Sequence, residues 1–179
     1  MMTKRPQWAE KTPEMQNYYD NYWGFPVHDD YLLFEMLSLE LFQAGLTWQT
    51  IWHRRLAFED AFLGFNVEKV TAMTEKDVER LCANAKIIRN RRKILAVINN
   101  ARVICQLREN GTTFNDYIWQ FMNGKAERLI LSASEDLPAQ TPASQRLSKQ
   151  MRNDGFKFVG PTIIYSFMTA VGMVNVRLE

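Results

Sequence analysis

Between two helical patterns the chain reads Lys86-Ile87-Ile88-Arg89-Asn90-Arg91-Arg92-Lys93, with Asn84-Ala85 directly before it, so that five cationic side chains fall in eight residues. A short hairpin that leads into a helix presents backbone N–H groups and the positive end of the helix dipole, and both suit a phosphate. A solvated charged turn is the alternative. The apolar pair Ile87-Ile88 favours the hairpin, because a turn that is only solvated has little use for buried side chains.

Helical patterns extend outward from this stretch in both directions. A capping-box pattern at Thr74-Glu75-Lys76-Asp77 predicts a helix before it, and apolar spacing predicts a helix from about Arg92 to Leu107 after it. N-cap residues, apolar spacing and terminal glycines predict further helices at 30–44, 48–62, 115–121, 141–155 and 160–171. Residues 123–141 read mostly as loop, and no alternation is long enough to predict a strand. The expected fold is all-α, with two helical lobes.

Composition narrows the class of protein. The chain has 179 residues, of which 46% are hydrophobic and 23% charged, and this fits one ordinary globular domain or two small ones, with no need of metal or disulfide for folding. No apolar run approaches the roughly 18 residues of a membrane span, and the first residues do not resemble a secretion signal. Cys82 and Cys105 lie within helical patterns, so we expect no disulfide and a cytoplasmic location. The net charge of +2 is too small to indicate a partner.

Glu40 is the first candidate for chemistry. At helical spacing it falls on the face that carries Leu33 and Leu37, whereas Glu35 and Ser38 are expected to point away together. A carboxylate on an apolar face must be paired, protonated or turned toward a cavity. A satisfied structural glutamate at the helix end is the alternative.

Two neighbouring segments add candidates. Gly45 can end the helix and leave Leu46 exposed at a loop tip, where an apolar side chain can serve as a wedge between bases, although such a leucine more often packs in the core. The segment Tyr18-Tyr19-Asp20-Asn21-Tyr22-Trp23-Gly24-Phe25-Pro26 has too many aromatic residues for one amphipathic face. Some of them can line a cleft for a flat ligand, with core packing as the commoner use.

Together these segments resemble the DNA-3-methyladenine glycosylase I family, within the helix-hairpin-helix DNA glycosylases. The resemblance covers nearly the whole chain in the expected order. The matching stretches are Tyr18-x-Asp20-Asn21-x-Trp23-Gly24-x-Pro26, Leu39-Glu40-x-x-Gln43-Ala44-Gly45-Leu46-Thr47-Trp48, Ile87-Ile88-Arg89-Asn90-Arg91-x-Lys93-Ile94, Gly155-Phe156-Lys157-Phe158-Val159-Gly160-Pro161-Thr162 and Tyr165-Ser166-Phe167-Met168 through Gly172-Met173-Val174-Asn175.

The resemblance implies a two-lobed, all-α helical bundle of the helix-hairpin-helix glycosylase type, with residues 1–179 forming one domain. The helix-hairpin-helix lobe is expected at roughly 48–123, and the N-terminal segment with the C-terminal helices forms the other lobe. It also implies hydrolytic excision of 3-methyladenine from double-stranded alkylated DNA. No lysine stands out as a Schiff-base nucleophile, so we expect no lyase activity. We expect a monomer without membrane attachment.

The resemblance also assigns residues by position. Glu40 is expected to be the catalytic residue, accepting hydrogen bonds from the flipped base. The aromatic pocket is expected from Tyr18, Trp23 and Trp48, and the wedge from Gly45 and Leu46. The grip on the DNA backbone is expected from Asn84, Ala85, Lys86, Arg89, Arg91 and Lys93.

The metal site of the family is the main departure. Family members often hold their termini together with a zinc ion bound by Cys and His, but Pro6 and Tyr19 stand at two of those positions here. His28 and His53 have no metal-ligand spacing to each other or to either cysteine. We therefore expect no zinc and no other cofactor, with the termini joined by helix packing alone.

Smaller departures lie in the hairpin and near Glu40. Lys86 stands where a glycine is usual, at a cost of about 1 kcal/mol if that position has positive φ. Leu41 and Phe42 replace smaller or polar residues, and Met15 stands where a second tyrosine contacts the base; all three are expected close to the pocket. These changes leave an alternative open, a non-catalytic or retargeted DNA-binding member of the same fold with altered specificity for alkylated bases.

Overall fold

A computed structural model describes residues 4–129 and 137–178. Within these ranges the regular secondary structure is almost entirely helical, as predicted. Its helices are α1 (Pro13–Asn21), α2 (Asp30–Gln43), α3 (Trp48–Trp52), α4 (Arg55–Ala61), α5 (Val67–Thr71), α6 (Glu75–Ala83), α7 (Arg91–Glu109), α8 (Phe114–Trp119), α9 (Pro142–Asn153) and α10 (Pro161–Ala170), with 3₁₀ turns at Leu63–Phe65 and Gln120–Met122. Two short strands, β1 (Glu127–Arg128) and β2 (Val174–Asn175), pair in parallel.

Local capping residues explain most of the helix starts. The side chains of Asp29, Asn90 and Thr141 accept hydrogen bonds from first-turn amides of α2, α7 and α9. Thr74 and Asp77 form the predicted capping box of α6. These contacts involve residues three positions apart, which is why α2, α6, α7 and α9 begin close to the predicted residues. Helix α10 begins at the predicted Gly160-Pro161 because proline suits the first helical position.

Three local predictions need correction. The helix expected over 48–62 is two helices, because the chain turns at His53-Arg54 before α4 begins. Helix α1 was not predicted, although Thr12 and Pro13 form an ordinary start for it. The predicted loop at 123–141 contains β1, whose pairing with a strand far along the chain leaves no local pattern, and its residues 130–136 lie outside the described ranges.

Helix α2 is the centre of the molecule. It packs against α3, α7, α8 and α10, and all residues from Leu33 to Phe42 are buried. The expectation that Glu35 and Ser38 point away from the core is therefore wrong, since neighbouring helices cover α2 on that side too. The guanidinium of Arg55 donates to both Glu35 carboxylate oxygens, at 2.6 and 3.1 Å, and the Ser38 hydroxyl donates to the Phe34 carbonyl.

Two further features bear on the class of protein. None of the helices in the described ranges is long and apolar enough to cross a membrane. Cys82 lies in α6 and Cys105 in α7, and both are free thiols.

Candidate functional site

A cavity of about 170 Å³ lies beside the middle of the molecule, and we call it the aromatic pocket. It draws on α1, α2, α3, α10 and the segments that flank α1, and it is lined by Trp8, Tyr18, Trp23, Glu40, Gln43, Trp48, Ser166 and Thr169. Pockets for drug-sized ligands usually measure about 300–1,000 Å³. This pocket therefore suits a single small ring system. The four residues that the sequence suggested for a pocket, Glu40 and three aromatics, all line it.

The aromatic rings are arranged to hold a flat ligand. The Tyr18 ring centroid lies 5.4 Å from that of Trp48 and 4.3 Å from that of Trp52, which lies behind it. The Trp8 and Trp23 rings meet edge-on at 5.4 Å, and the Trp8 ring also lies 6.2 Å from that of Tyr18. Burial, with a smaller effect of nearby Glu40, raises the pKa of Tyr18 well above its usual range. The Tyr18 hydroxyl thus stays protonated at every physiological pH and can donate a hydrogen bond.

Glu40 is the chemically unusual group of this pocket. Its side chain is almost fully buried, with 5% exposed, and no residue within 4–129 or 137–178 donates a hydrogen bond to its carboxyl. Burial raises the pKa of Glu40 from its ordinary value near 4.5 to about 8. A buried carboxyl without a partner that faces a cavity is suited to a ligand that brings hydrogen-bond donors or a positive charge.

Four lining residues were missed by sequence reasoning. Trp8 lies outside any helical pattern, and its ring contacts with Tyr18, Tyr19 and Trp23 bring it to the pocket. Ser166 and Thr169 lie on α10, where helical spacing predicts burial but not which cavity a residue faces. Gln43 ends α2 one turn after Glu40, and its position in the quoted Leu39–Trp48 motif is the one signal that pointed to it.

The loop after α2 is a tight turn beside the pocket, closed by two hydrogen bonds. Gly45 has φ of +83°, which favours glycine, and the backbone reverses there. The Leu46 amide donates to the Gln43 carbonyl at 2.7 Å, and the Gln43 side-chain amide donates back to the Leu46 carbonyl at 2.9 Å. Leu46 is 39% exposed. The exposed leucine is therefore presented on a rigid turn next to a pocket-lining residue.

The hairpin between α6 and α7 has the expected form. Ile87 is buried, the Lys86 amide donates to the Asn84 side chain, and the Asn90 amide donates to the Ile88 carbonyl. The amides of Ile88 and Arg89 have no partner among the described residues. Free amides that lie just before the first turn of the 19-residue α7 have a geometry that suits an anion.

The predicted backbone-binding side chains do not share one environment. Ala85, Lys86 and Arg89 are exposed and Asn84 is half-buried, while Arg91 is exposed but forms an ion pair with Glu75. The prediction that Lys93 binds the DNA backbone needs correction. It is 7% exposed, and its ammonium donates to the carbonyls of Phe42 at 2.9 Å and Ala44 at 2.6 Å.

Lys93 is turned inward because the last carbonyls of α2 lack helical partners and lie within its reach. Burial lowers the pKa of its ammonium, while two carbonyl acceptors hold the charged form in place. Lys93 therefore ties α7 to the loop that carries Leu46, and it is not available to a phosphate. The expected strain at Lys86 is also absent, because Lys86 is not among the described non-glycine residues with positive φ.

The residues expected to alter the pocket flank do not line the pocket. Leu41 and Phe42 are fully buried on other faces of α2, and the Phe42 ring packs on Phe58 at 4.7 Å. Met15 lines a separate cavity between Trp8 and Trp48. These three departures from the family pattern therefore lie outside the lining of the aromatic pocket.

The described residues do not fit a zinc site. No group of three His, Cys, Asp or Glu side chains converges within these ranges. His28 lies beside Asn115 at 2.8 Å and His53 beside Glu14 at 3.3 Å. The termini are nevertheless not joined by helix packing alone, since the Leu178 amide donates to the Tyr19 hydroxyl at 3.2 Å and Arg177 donates to two carbonyls near α1.

Comparison with known proteins agrees with this geometry. A family model described as methyladenine glycosylase matches residues 8–179. DNA-3-methyladenine glycosylase 1 of Escherichia coli (strain K12) is 45% identical over 172 residues, which cover 96% of this chain and 92% of that protein.

Solved structures give the same result. The crystal structure of a 3-methyladenine DNA glycosylase I superposes with a TM-score of 0.95 at 43% identity, covering 98% of this chain and 97% of the other. A single-residue variant of such an enzyme in complex with 3-methyladenine has a TM-score of 0.92 at 34% identity, covering 96% of this chain and 92% of the other.

Proposed function

Because this chain belongs to the methyladenine glycosylase family, we propose that it flips 3-methyladenine out of alkylated duplex DNA and excises it by hydrolysis, as a base-excision repair enzyme. The observation that carries the proposal is the unpartnered Glu40 carboxyl at the wall of an aromatic pocket sized for one small ring system. A damaged base costs less to unpair than a normal one, which assists its extrusion into such a pocket.

For this reaction the protein mainly has to supply a favourable charge and hold the base in position. In DNA, 3-methyladenine carries a positive charge, so it departs from the sugar with the electron pair of the C1′–N9 bond as a neutral base. A water oxygen then bonds to C1′ and releases a proton, which leaves an abasic site. No general acid is required, because methylation has already made the base a good leaving group.

The catalytic role of Glu40 follows from this charge. A cationic base in the pocket favours the ionised carboxylate, and that carboxylate accepts hydrogen bonds from the amino edge of the base. The faces of Tyr18, Trp23 and Trp48 attract a flat cation more strongly than a neutral ring. Normal adenine has neither the positive charge nor the weakened C1′–N9 bond. The selectivity for 3-methyladenine and the rate of its excision therefore have the same origin.

The grip on DNA is assigned to the other features of the surface. The hairpin amides with Asn84, Ala85, Lys86, Arg89 and Arg91 bind phosphates of any sequence. Gly45 and Leu46 place an apolar wedge in the stack where the base has left. In this scheme the lobe at roughly 48–123 holds the backbone, and the lobe made of the N-terminal segment and the C-terminal helices holds the base.

We expect simple hydrolysis without a lyase step. The eight residues that line the aromatic pocket include no lysine, and the ammonium of Lys93 is occupied by two carbonyls. The chain is expected to act as a monomer on double-stranded alkylated DNA in the cytoplasm. A non-catalytic or retargeted member finds no support in the pocket, since Leu41, Phe42 and Met15 do not line it.

An excision assay tests the proposal. Purified protein is incubated with methylated duplex DNA, and the released bases are separated by chromatography. We expect catalytic release of 3-methyladenine, with no covalent DNA adduct when borohydride is added. Absence of 3-methyladenine release at micromolar enzyme contradicts the proposed function, and release of only another alkylated purine contradicts the proposed substrate.

A further inference from the structure

Arg177, in the segment after β2, binds the region from which the aromatic pocket takes one wall. One of its guanidinium nitrogens, Nη1, donates to the Tyr19 carbonyl and to the Trp23 carbonyl, each at 2.6 Å. Tyr19 lies in the last turns of α1, and Trp23 lines the pocket. A residue 154 positions away in sequence therefore holds the main chain at Trp23 itself.

The rest of the Arg177 side chain is enclosed by the same segment. Its guanidinium carbon lies 4.2 Å from the ring centroid of Tyr19 and 4.6 Å from that of Phe25. Gly24 has φ of +80°, and a Cβ atom there would lie 3.0 Å from Cγ of Arg177, so the arginine stem lies directly against this glycine. The planar guanidinium thus packs on two aromatic rings, the methylene stem lies against Gly24, and the N–H donors bind two carbonyls. A flexible surface arginine lacks such contacts.

These contacts reach the pocket through two rings. Tyr19 stacks on Trp23 with centroids 5.4 Å apart and 25° between the planes. Trp23 in turn meets the edge of Trp8, the next ring of the pocket. The remaining backbone tie of Trp23 in the described ranges is its amide, which donates to the Tyr18 carbonyl at 3.0 Å. The carbonyl side of Trp23 is held by Arg177.

We propose that Arg177 is a positioning residue that sets the Trp23 wall of the base pocket by joining the C-terminal segment to the segment after α1. A guanidinium thus links the two ends of the chain, and its attachment point is a pocket residue. The proposal rests on the proposed function in that 3-methyladenine is taken as the ligand of the pocket.

Two substitutions and a matched control test this role. R177M removes the donors and keeps a stem against Gly24, while R177K keeps one compact donor. R5M is the control, because Arg5 also anchors α1, through a two-point ion pair with Asp20, but does not contact Trp23. The affinity for free 3-methyladenine, the affinity for unmodified duplex DNA and the melting temperature are measured for all three.

We expect R177M to bind free 3-methyladenine about tenfold more weakly and to raise KM for excision by a similar factor, because hydrogen bonds to charged groups are strong and two are lost. R177K, which can reach one carbonyl, is expected to lose about threefold. R5M is expected to lower the melting temperature and to keep the base affinity of the unaltered protein. Duplex affinity should not change in any of the three.

Unchanged base affinity in R177M, with only a lower melting temperature, overturns the proposal and leaves Arg177 a structural residue. If R177M does not fold, base affinity in R177K equal to that of the unaltered protein overturns it in the same way. Failure of the unaltered protein to bind 3-methyladenine is a different result, since it contradicts the proposed function and not the contact of Arg177 with Trp23.

Discussion

At the scale of single residues, Glu40 combines a cost in stability with a use in binding. Its carboxyl is buried without a hydrogen-bond donor, and burial raises its pKa to about 8. In the unfolded chain the same carboxyl ionises near pH 4.5. Natural proteins accept such groups at sites where a ligand supplies the missing partner, and their removal often stabilises the fold.

We predict that Glu40→Gln stabilises the protein at pH 8 and disables excision. Between about pH 4.5 and 8 the unfolded chain releases a proton that the folded chain keeps, so Glu40 lowers stability as pH rises through this window. Glutamine is neutral throughout, and the expected gain at pH 8 is about 2 kcal/mol, or about 4–8 °C in Tm. Excision should fall by about a hundredfold with duplex affinity unchanged.

The pH dependence separates this cause from general repacking. Thermal unfolding of both proteins at pH 5, 6.5 and 8 should show the Tm difference increasing with pH. A difference that is the same at all three values would mean that the carboxyl does not titrate in this window. Equal loss of excision and of duplex affinity would instead make Glu40 a structural residue.

At the scale of elements, α7 joins the two parts of the site. Its preceding hairpin offers free amides and the exposed cations Lys86 and Arg89, while Lys93 in its first turn binds the carbonyl end of α2. Cations that are neighbours in sequence thus have different environments, because Lys86 and Arg89 lie in the exposed hairpin while Lys93 lies in the first turn of α7, within reach of the α2 carbonyls. The hairpin cations are the side chains proposed to bind phosphate, and Lys93 holds the start of the loop of Gly45 and Leu46.

We predict that Arg89→Ala and Lys93→Met give opposite results. Arg89→Ala should weaken binding to any duplex and reduce the slope of log affinity against log salt by about 1, since one phosphate contact is lost. Lys93→Met should keep that slope and destabilise the fold by about 1–3 kcal/mol, because two buried carbonyls lose their donor. Salt titrations of binding to unmodified duplex and thermal unfolding measure the two effects.

Two results would contradict this pair of predictions. A salt slope that is unchanged in Arg89→Ala would remove this side chain from the DNA interface. A slope reduced in Lys93→Met, with stability intact, would mean that Lys93 leaves its carbonyls and binds phosphate when DNA is present.

At the scale of the whole molecule, the two ends of the chain meet beside the aromatic pocket. β2 pairs with β1, the Gly24 amide donates to the Ala170 carbonyl at the end of α10, and Arg177 binds the carbonyls of Tyr19 and Trp23. The donors here are backbone amides and a guanidinium. None of these groups is a metal ligand of the kind that zinc prefers.

We predict that the protein folds and keeps its base affinity without zinc. Dialysis against EDTA should leave both the melting temperature and the affinity for 3-methyladenine unchanged, since the guanidinium of Arg177 makes the connection between the termini. Elemental analysis of the protein before dialysis provides the control. Stoichiometric zinc, or a fall in melting temperature after its removal, contradicts this prediction.

The sequence by itself determined the features that depend on neighbouring residues. The starts of α2, α6, α7 and α9 follow from cap contacts between residues three positions apart, and the burial of Ile87 follows from its place in a charged hairpin. The quoted motifs pointed to the aromatic residues and Glu40 in the pocket. Such features are local because their energies come from bonds and contacts within one or two helical turns.

Only the tertiary structure decided where side chains point when several helices compete for one residue. Helical spacing predicted that Glu35 points away from the core, yet Arg55 and the surrounding helices bury it. The cationic run predicted that Lys93 binds DNA, yet its ammonium donates to carbonyls 51 and 49 residues away and lies in the interior. Trp8 and Arg177 reach the pocket region through contacts that no local pattern contains, because a packed interior fills each site from whichever chain segments the fold brings there.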